Sequence, residues 1–246
     1  MVFPRSVRYN KSMNGYIYYF LAIAVMVLSL IAQSRVQRVF NKYAQVPSRS
    51  GVTGAQLAND LLYRNGLNLP VQQVAGSLTD HFNPKEQTVG LSEAVYGSNS
   101  VSALAVAAHE IGHVLQYQED YRPMRLRSVI LPAANIGSRL GPILVIGGLL
   151  LSWLASVGNF GYYLALVGVA LYVTVLLFQL FTLPVEFDAS KRGLNMLLEG
   201  GYLAEDELPG AKKMLNAAAM TYVLAALVSF VTVLRLLSIA GGARRK

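Results

Sequence analysis

Hydrophobic residues gather in four long runs, 16–33, 141–158, 161–183 and 217–240, and between them apolar positions recur at helical or strand spacing. Each run is about long enough for a helix to cross roughly 30 Å of hydrocarbon. None carries a charge near its middle, and Arg235 lies close enough to one end of the fourth to reach the interface with its side chain. The runs predict four transmembrane helices. The second and third are joined only by "VGNFG", residues 157–161, so 141–183 should form a hairpin that returns the chain to the side it left. The stretches 34–140 and 184–216 should then face the same side of the membrane.

Within 34–140 the pattern changes period. "TGAQLANDLLYRNG" reads as a helix, with Thr53 as N-cap, Gln56 three residues on, apolar Leu57, Leu61 and Leu62, and Gly66 as the stop. "VQQVAGS" and "QTVGLSEAVY", bounded by Pro70, Asn83-Pro84 and Gly97, suggest a small β-element. Ser98, Asn99 and Ser100 offer caps for a helix over about 100–118, apolar at Val101, Leu104, Ala108, Ile111 and Leu115. Residues 183–203 look like a further helix stopped by Gly200-Gly201, and the Pro-interrupted 119–140 is a basic connection into the second membrane run. The expected fold class is a mainly α membrane protein with a small α+β part on one face.

Composition sharpens this picture. Of 246 residues 54% are hydrophobic and only 14% charged, well below the charge of a typical soluble domain. The net charge of +8 comes from basic residues beside the apolar runs, where they hold topology, so it does not point to nucleic acid. Without cysteine there is no disulfide framework and no thiolate metal ligand. Fourteen of the 21 Lys and Arg residues fall in the two soluble stretches; Arg5, Arg8, Lys11, Arg244, Arg245 and Lys246 flank the other ends, and that bias favours a cytoplasmic soluble face.

The chemistry lies in "AAHEIGHVLQYQ", residues 107–118. On a helix His109 and His113 share a face and can aim ring nitrogens at one point, which suits tetrahedral Zn²⁺. Glu110, turned about 100° from His109, suits a proton-accepting role beside an open coordination position. By chance such a pattern would arise in a chain of this length with odds on the order of one in a hundred. Gly112 weakens the helix by about 1 kcal/mol relative to alanine, which makes sense if another element must come close to the metal face. "VEFDAS", on the same side of the membrane, offers a carboxylate to complete the site, from Glu186 or Asp188; two residues apart on a helix they diverge by about 200°, so one alone should be a ligand.

"HEIGH", the membrane hairpin after it and "PVEFDAS" resemble the YugP-like family of small bacterial membrane-embedded neutral zinc metallopeptidases, as do "SLTDHFNPKEQTVGLSEAVYGS" and "AAAMTYVLAAL". The resemblance covers nearly the whole chain, and a more distant one links it to the HtpX and Ste24-type proteases. It implies a multi-pass zinc metalloendopeptidase of the bacterial inner membrane with a zincin-like catalytic part, one Zn²⁺ per chain, and peptide or membrane-protein substrates. By motif it makes His109 and His113 ligands, Glu110 the general base and Glu186 the third ligand. In the distant relatives an aspartate four residues after the ligand glutamate orients a histidine; here that position is Ser190, whose hydroxyl could do the same, while Asp188 would cap a helix or pair with Lys191 or Arg192. Those relatives also imply that substrate pairs with an exposed strand, for which "QTVGL" is the candidate.

Tyr222 and Arg192 are candidates for stabilising charge on the substrate carbonyl, Tyr222 also reading as an interfacial aromatic. His81, before an Asn-Pro turn, reads as structural. A rival class is a catalytically silent metal-binding scaffold or chaperone, which would tolerate Glu110→Gln; a transporter is disfavoured because no ionisable residue occupies the middle of a membrane run.

Overall fold

The computed structural model describes residues 11–154 and 159–242. Arg5, Arg8, Arg244, Arg245, Lys246 and the first residues of the expected 157–161 turn lie outside the described residues. Ten elements follow in order: α1 (Lys11–Ala44), α2 (Gly54–Arg64), β1 (Val71–Val74), β2 (His81–Asn83), β3 (Thr88–Ser92), α3 (Glu93–Tyr96), α4 (Val101–Gln118), α5 (Arg122–Leu154), α6 (Phe160–Glu199) and α7 (Leu208–Gly242). Among the described residues four helices are long and apolar enough to cross a membrane: Ile17–Ala44, Arg122–Leu154, Phe160–Glu199 and Leu208–Gly241.

The chain divides into two compact units. One takes in the described residues among 1–28, 130–179 and 225–246. Here α5 and α6 approach through small residues: a Cβ on Gly141 would meet the Gly168 carbonyl oxygen at 2.9 Å, and one on Gly148 the Gly161 carbonyl oxygen at 2.3 Å. Without a hydrophobic driving force between helices in lipid, such close packing supplies the attraction. Arg235 places its guanidinium 5.0 Å from the ring centroid of Tyr19 on α1, a cation–π contact that lets the charge sit among apolar neighbours.

The other unit, residues 29–129 and 180–224, contains the small sheet. Its core joins Leu57, Leu61 and Leu62 of α2, Val89 and Leu91 of β3, Leu104, Ile111 and Val114 of α4, and Met214 and Leu215 of α7. Nearly every side chain of α4 is buried, consistent with an alanine-rich helix that packs on all sides. The Thr53 capping box forms: Thr53 Oγ1 accepts from the Gln56 amide and Gln56 Oε1 from the Thr53 amide. Ser100 caps α4 by accepting from the Ala103 amide at 3.3 Å.

Three differences from the sequence reading matter for function. The sheet order is β1-β3-β2, β1 parallel and β2 antiparallel to β3, so "QTVGL" belongs to the central strand and both its edges are paired. It is not the exposed strand the distant resemblance implied; the edges are β1 and β2. The strand reading of "QTVGLSEAVY" also stops at Ser92, after which α3 begins at Glu93. Finally, residues 183–199 do not start a new helix: the third apolar run continues through Pro184 as a single helix of 40 residues.

Candidate metal centre

Helix α4 presents His109 and His113 one turn apart, ring centroids 4.7 Å from each other, and α6 brings Glu186 to them. Glu186 Oε2 lies 3.4 Å from His109 Nε2 and 3.6 Å from His113 Nε2. Ligands about 2.0–2.1 Å from a tetrahedral zinc stand about 3.4 Å apart, so both carboxylate–imidazole separations suit such an ion, and the three ligand atoms lie within 4.8 Å of one another. Glu186 Oε2 is buried and accepts no well-formed hydrogen bond, an arrangement that is costly unless a cation sits against it. The donor set and this orphaned oxygen fit zinc. Its partner Oε1 accepts from Arg127 Nη1 at 3.1 Å, which fixes the carboxylate plane.

The close approach of α4 and α6 depends on Gly112. A Cβ there would lie 2.6 Å from the Ala189 carbonyl oxygen, and one on Gly193 would lie 3.1 Å from backbone atoms of Ala108 and His109. The element for which Gly112 makes room is therefore α6, one residue from Ser190.

Both imidazoles are held from behind. Ser190 Oγ lies 3.1 Å from His109 Nδ1, and Gln116 Oε1 lies 3.0 Å from His113 Nδ1. The Gln116 amide nitrogen donates to the Val185 carbonyl at 2.8 Å and to Asp188 Oδ2 at 2.9 Å. Two acceptors on the nitrogen side leave the amide oxygen facing His113, so His113 donates from Nδ1 and keeps the Nε2 lone pair for a metal. Asp188 in turn accepts from Arg192 Nε at 2.6 Å, and Arg192 Nη1 donates to Glu119 at 2.7 Å. Asp188, which the sequence places with Ser190 as a partner behind the ligand histidines and as an ion-pair partner of Lys191 or Arg192, thus pairs with Arg192 and reaches His113 through Gln116; Gln116 is the link the sequence does not show, and Arg192 is engaged away from the ligand atoms. Gln116 and Arg127 were both missed; Gln116 was hinted at only by its place three residues after His113. Replacing Gln116 with Leu is expected to weaken zinc affinity about 10- to 100-fold, measured by competition with a chelator; unchanged affinity would mean that the amide does not tune the histidine.

Glu110 is 7% exposed. Burial raises its carboxyl above the ordinary range against the lowering influence of His109 and His113, and Asp80 and Glu186 push it the same way as burial. Asp80 is itself raised by burial, and it accepts from the Ser92 amide at 2.7 Å and the Ser92 hydroxyl at 3.0 Å. His109, Glu110, Glu186, Asp80 and Tyr222 line a cavity of about 480 Å³. His81 stands apart on β2, its Nδ1 2.9 Å from the Thr79 carbonyl oxygen.

Comparison with known proteins accords with this centre. The chain is 44% identical over 224 residues to the "Putative membrane protease YugP" of Bacillus subtilis (strain 168), an alignment that covers 91% of this chain and 96% of that protein. No solved structure matches. Residues 18–241 match the family described as "Putative neutral zinc metallopeptidase", and the chain belongs to that family.

Proposed function

We propose that the protein is an integral membrane zinc metalloendopeptidase whose unit of residues 29–129 and 180–224 is a small zincin-like catalytic part. The observation that carries this reading is the convergence of His109, His113 and Glu186 within 4.8 Å, with buried Glu110 on the same cavity. Zinc held by the three ligands would polarise the scissile carbonyl and acidify a water molecule.

Glu110 takes the proton from the attacking water and passes it to the leaving amine, a transfer assisted by a carboxyl raised above its ordinary range. Tyr222, lining the same cavity, donates its hydroxyl to the carbonyl oxygen as charge develops there. Arg127 and Ser190 keep Glu186 and His109 in register, while Asp188 does so for His113 through Gln116. Four membrane-crossing helices confine the cavity near the bilayer, where membrane-associated polypeptides are the concentrated substrates.

Purified in detergent, the protein is expected to carry one zinc per chain and to cleave an unfolded membrane-protein reporter. Chelation should stop cleavage and stoichiometric zinc should restore it. A zinc-loaded protein that cleaves no reporter across a panel of unfolded membrane substrates would favour the silent scaffold.

The excess of Lys and Arg in the soluble stretches supports, in this reading, an active site on the cytoplasmic side of the inner membrane. Single cysteines at Asn41 and Asn159, in a chain with none of its own, test it with a membrane-impermeant thiol reagent on spheroplasts. Labelling at 159 but not 41 is expected, and the reverse pattern would invert the topology.

A further inference from the structure

On α1 and α7, within the unit that holds the metal centre, a second cavity of about 310 Å³ is framed by Arg35, Lys42 and Lys213, with Asn216 beside them. No carboxylate lines it. Among the described residues Arg49, Arg64, Arg125, Arg127 and Arg192 are ion-paired, whereas Arg35, Lys42 and Lys213 pair with no carboxylate. Three cations that converge on one groove repel each other unless an anion joins them. The rest of the lining is of another kind: Val39, Ala217 and Met220 are apolar, Met220 is 46% exposed, and Tyr43 offers its ring to Lys42, whose Nζ lies 5.6 Å from the centroid.

The position along the helices completes the pattern. The apolar run of α1 ends at residue 33 and that of α7 begins at 217, so on α7 the groove residues span that boundary, Lys213 and Asn216 before it and Ala217 and Met220 after it, while on α1 they begin two residues past it with Arg35; the groove opens at the level of the headgroups. Basic and apolar side chains that share one groove at that depth match the two ends of an anionic phospholipid. Phosphate oxygens would meet Arg35, Lys42 and Lys213, and the first methylenes of an acyl chain would cover Met220. None of these residues lines the catalytic cavity, so occupancy does not require substrate. We infer that this groove is a binding site for one anionic phospholipid.

The test is a lipid titration of the full-length protein in neutral detergent, read by native mass spectrometry, with phosphatidylglycerol, phosphatidylcholine and inorganic phosphate as separate ligands. One phosphatidylglycerol should bind in preference to phosphatidylcholine. Each cation near a lipid phosphate contributes about fivefold, so Arg35→Gln with Lys213→Gln should weaken phosphatidylglycerol about 25-fold and leave phosphatidylcholine unchanged. Arg38→Gln with Lys212→Gln removes the same charge from the same two helices outside the groove and should change binding by less than about twofold. Lys42→Gln alone, expected at about fivefold, keeps the test available if the double variant does not fold. Equal losses in the two double variants, equal binding of the two lipids, or displacement of phosphatidylglycerol by millimolar phosphate would each overturn the assignment.

Discussion

Glu110→Gln is expected to lower peptide hydrolysis by about two to four orders of magnitude while zinc stays near one per chain. His109→Ala should lose both metal and activity. The difference follows from geometry: the ligand atoms within 4.8 Å of one another belong to His109, His113 and Glu186, and Glu110 stands outside that set on the cavity wall. Glutamine keeps the volume of a residue only 7% exposed, so packing around α4 is preserved. It cannot accept and return a proton, so only the chemistry is removed. Metal analysis and reporter cleavage on the two purified variants read the outcome together. Equal zinc loss in Glu110→Gln and His109→Ala would make Glu110 a ligand or a structural residue and end this mechanism.

How far the sequence could be read depended on how local each signal was. The Thr53–Gln56 capping box and the Ser100 cap involve partners three residues apart, and both form. The four apolar runs were visible because length and composition suffice to recognise them. Pairing was not: β2 has only three residues, too few to show alternation, and nothing local indicates that β1 joins β3 in parallel and leaves "QTVGL" without a free edge. The break expected before residue 184 marks a change of side-chain polarity and not of backbone, because the helix continues past the apolar run to Glu199. At the centre, His109 and His113 come from one helix and their juxtaposition could be derived from its period. Gln116 reaches Val185 and Asp188 across 69 and 72 residues, and Arg127 reaches Glu186 across 59, so those contacts appear only once α4, α5 and α6 are packed.

Gly112→Ala should damage the centre although it adds one methyl group and touches no ligand. The new Cβ would face the Ala189 carbonyl oxygen at 2.6 Å, its Cα at 3.0 Å and its carbonyl carbon at 3.1 Å. These are backbone atoms of a buried helix segment, so the clash can be relieved only by moving α6 away from α4. Alanine gains about 1 kcal/mol of helix propensity, but overpacking of this kind costs about 1–3 kcal/mol, so net stability should change little or fall modestly. The larger effect is geometric, because Ser190 and Glu186 move with Ala189 while His109 and His113 stay on α4. A displacement of about 1 Å can lower activity about 10²-fold, and zinc affinity should fall with it. Gly147→Ala is the control: nothing lies within 4 Å of a Cβ at that position, so metal content and activity should be unchanged. Zinc retention after dialysis against a moderate chelator, thermal unfolding and reporter cleavage measure the pair. If Gly112→Ala kept stoichiometric zinc and full activity, the close α4–α6 approach would not be what assembles the His₂–Glu centre.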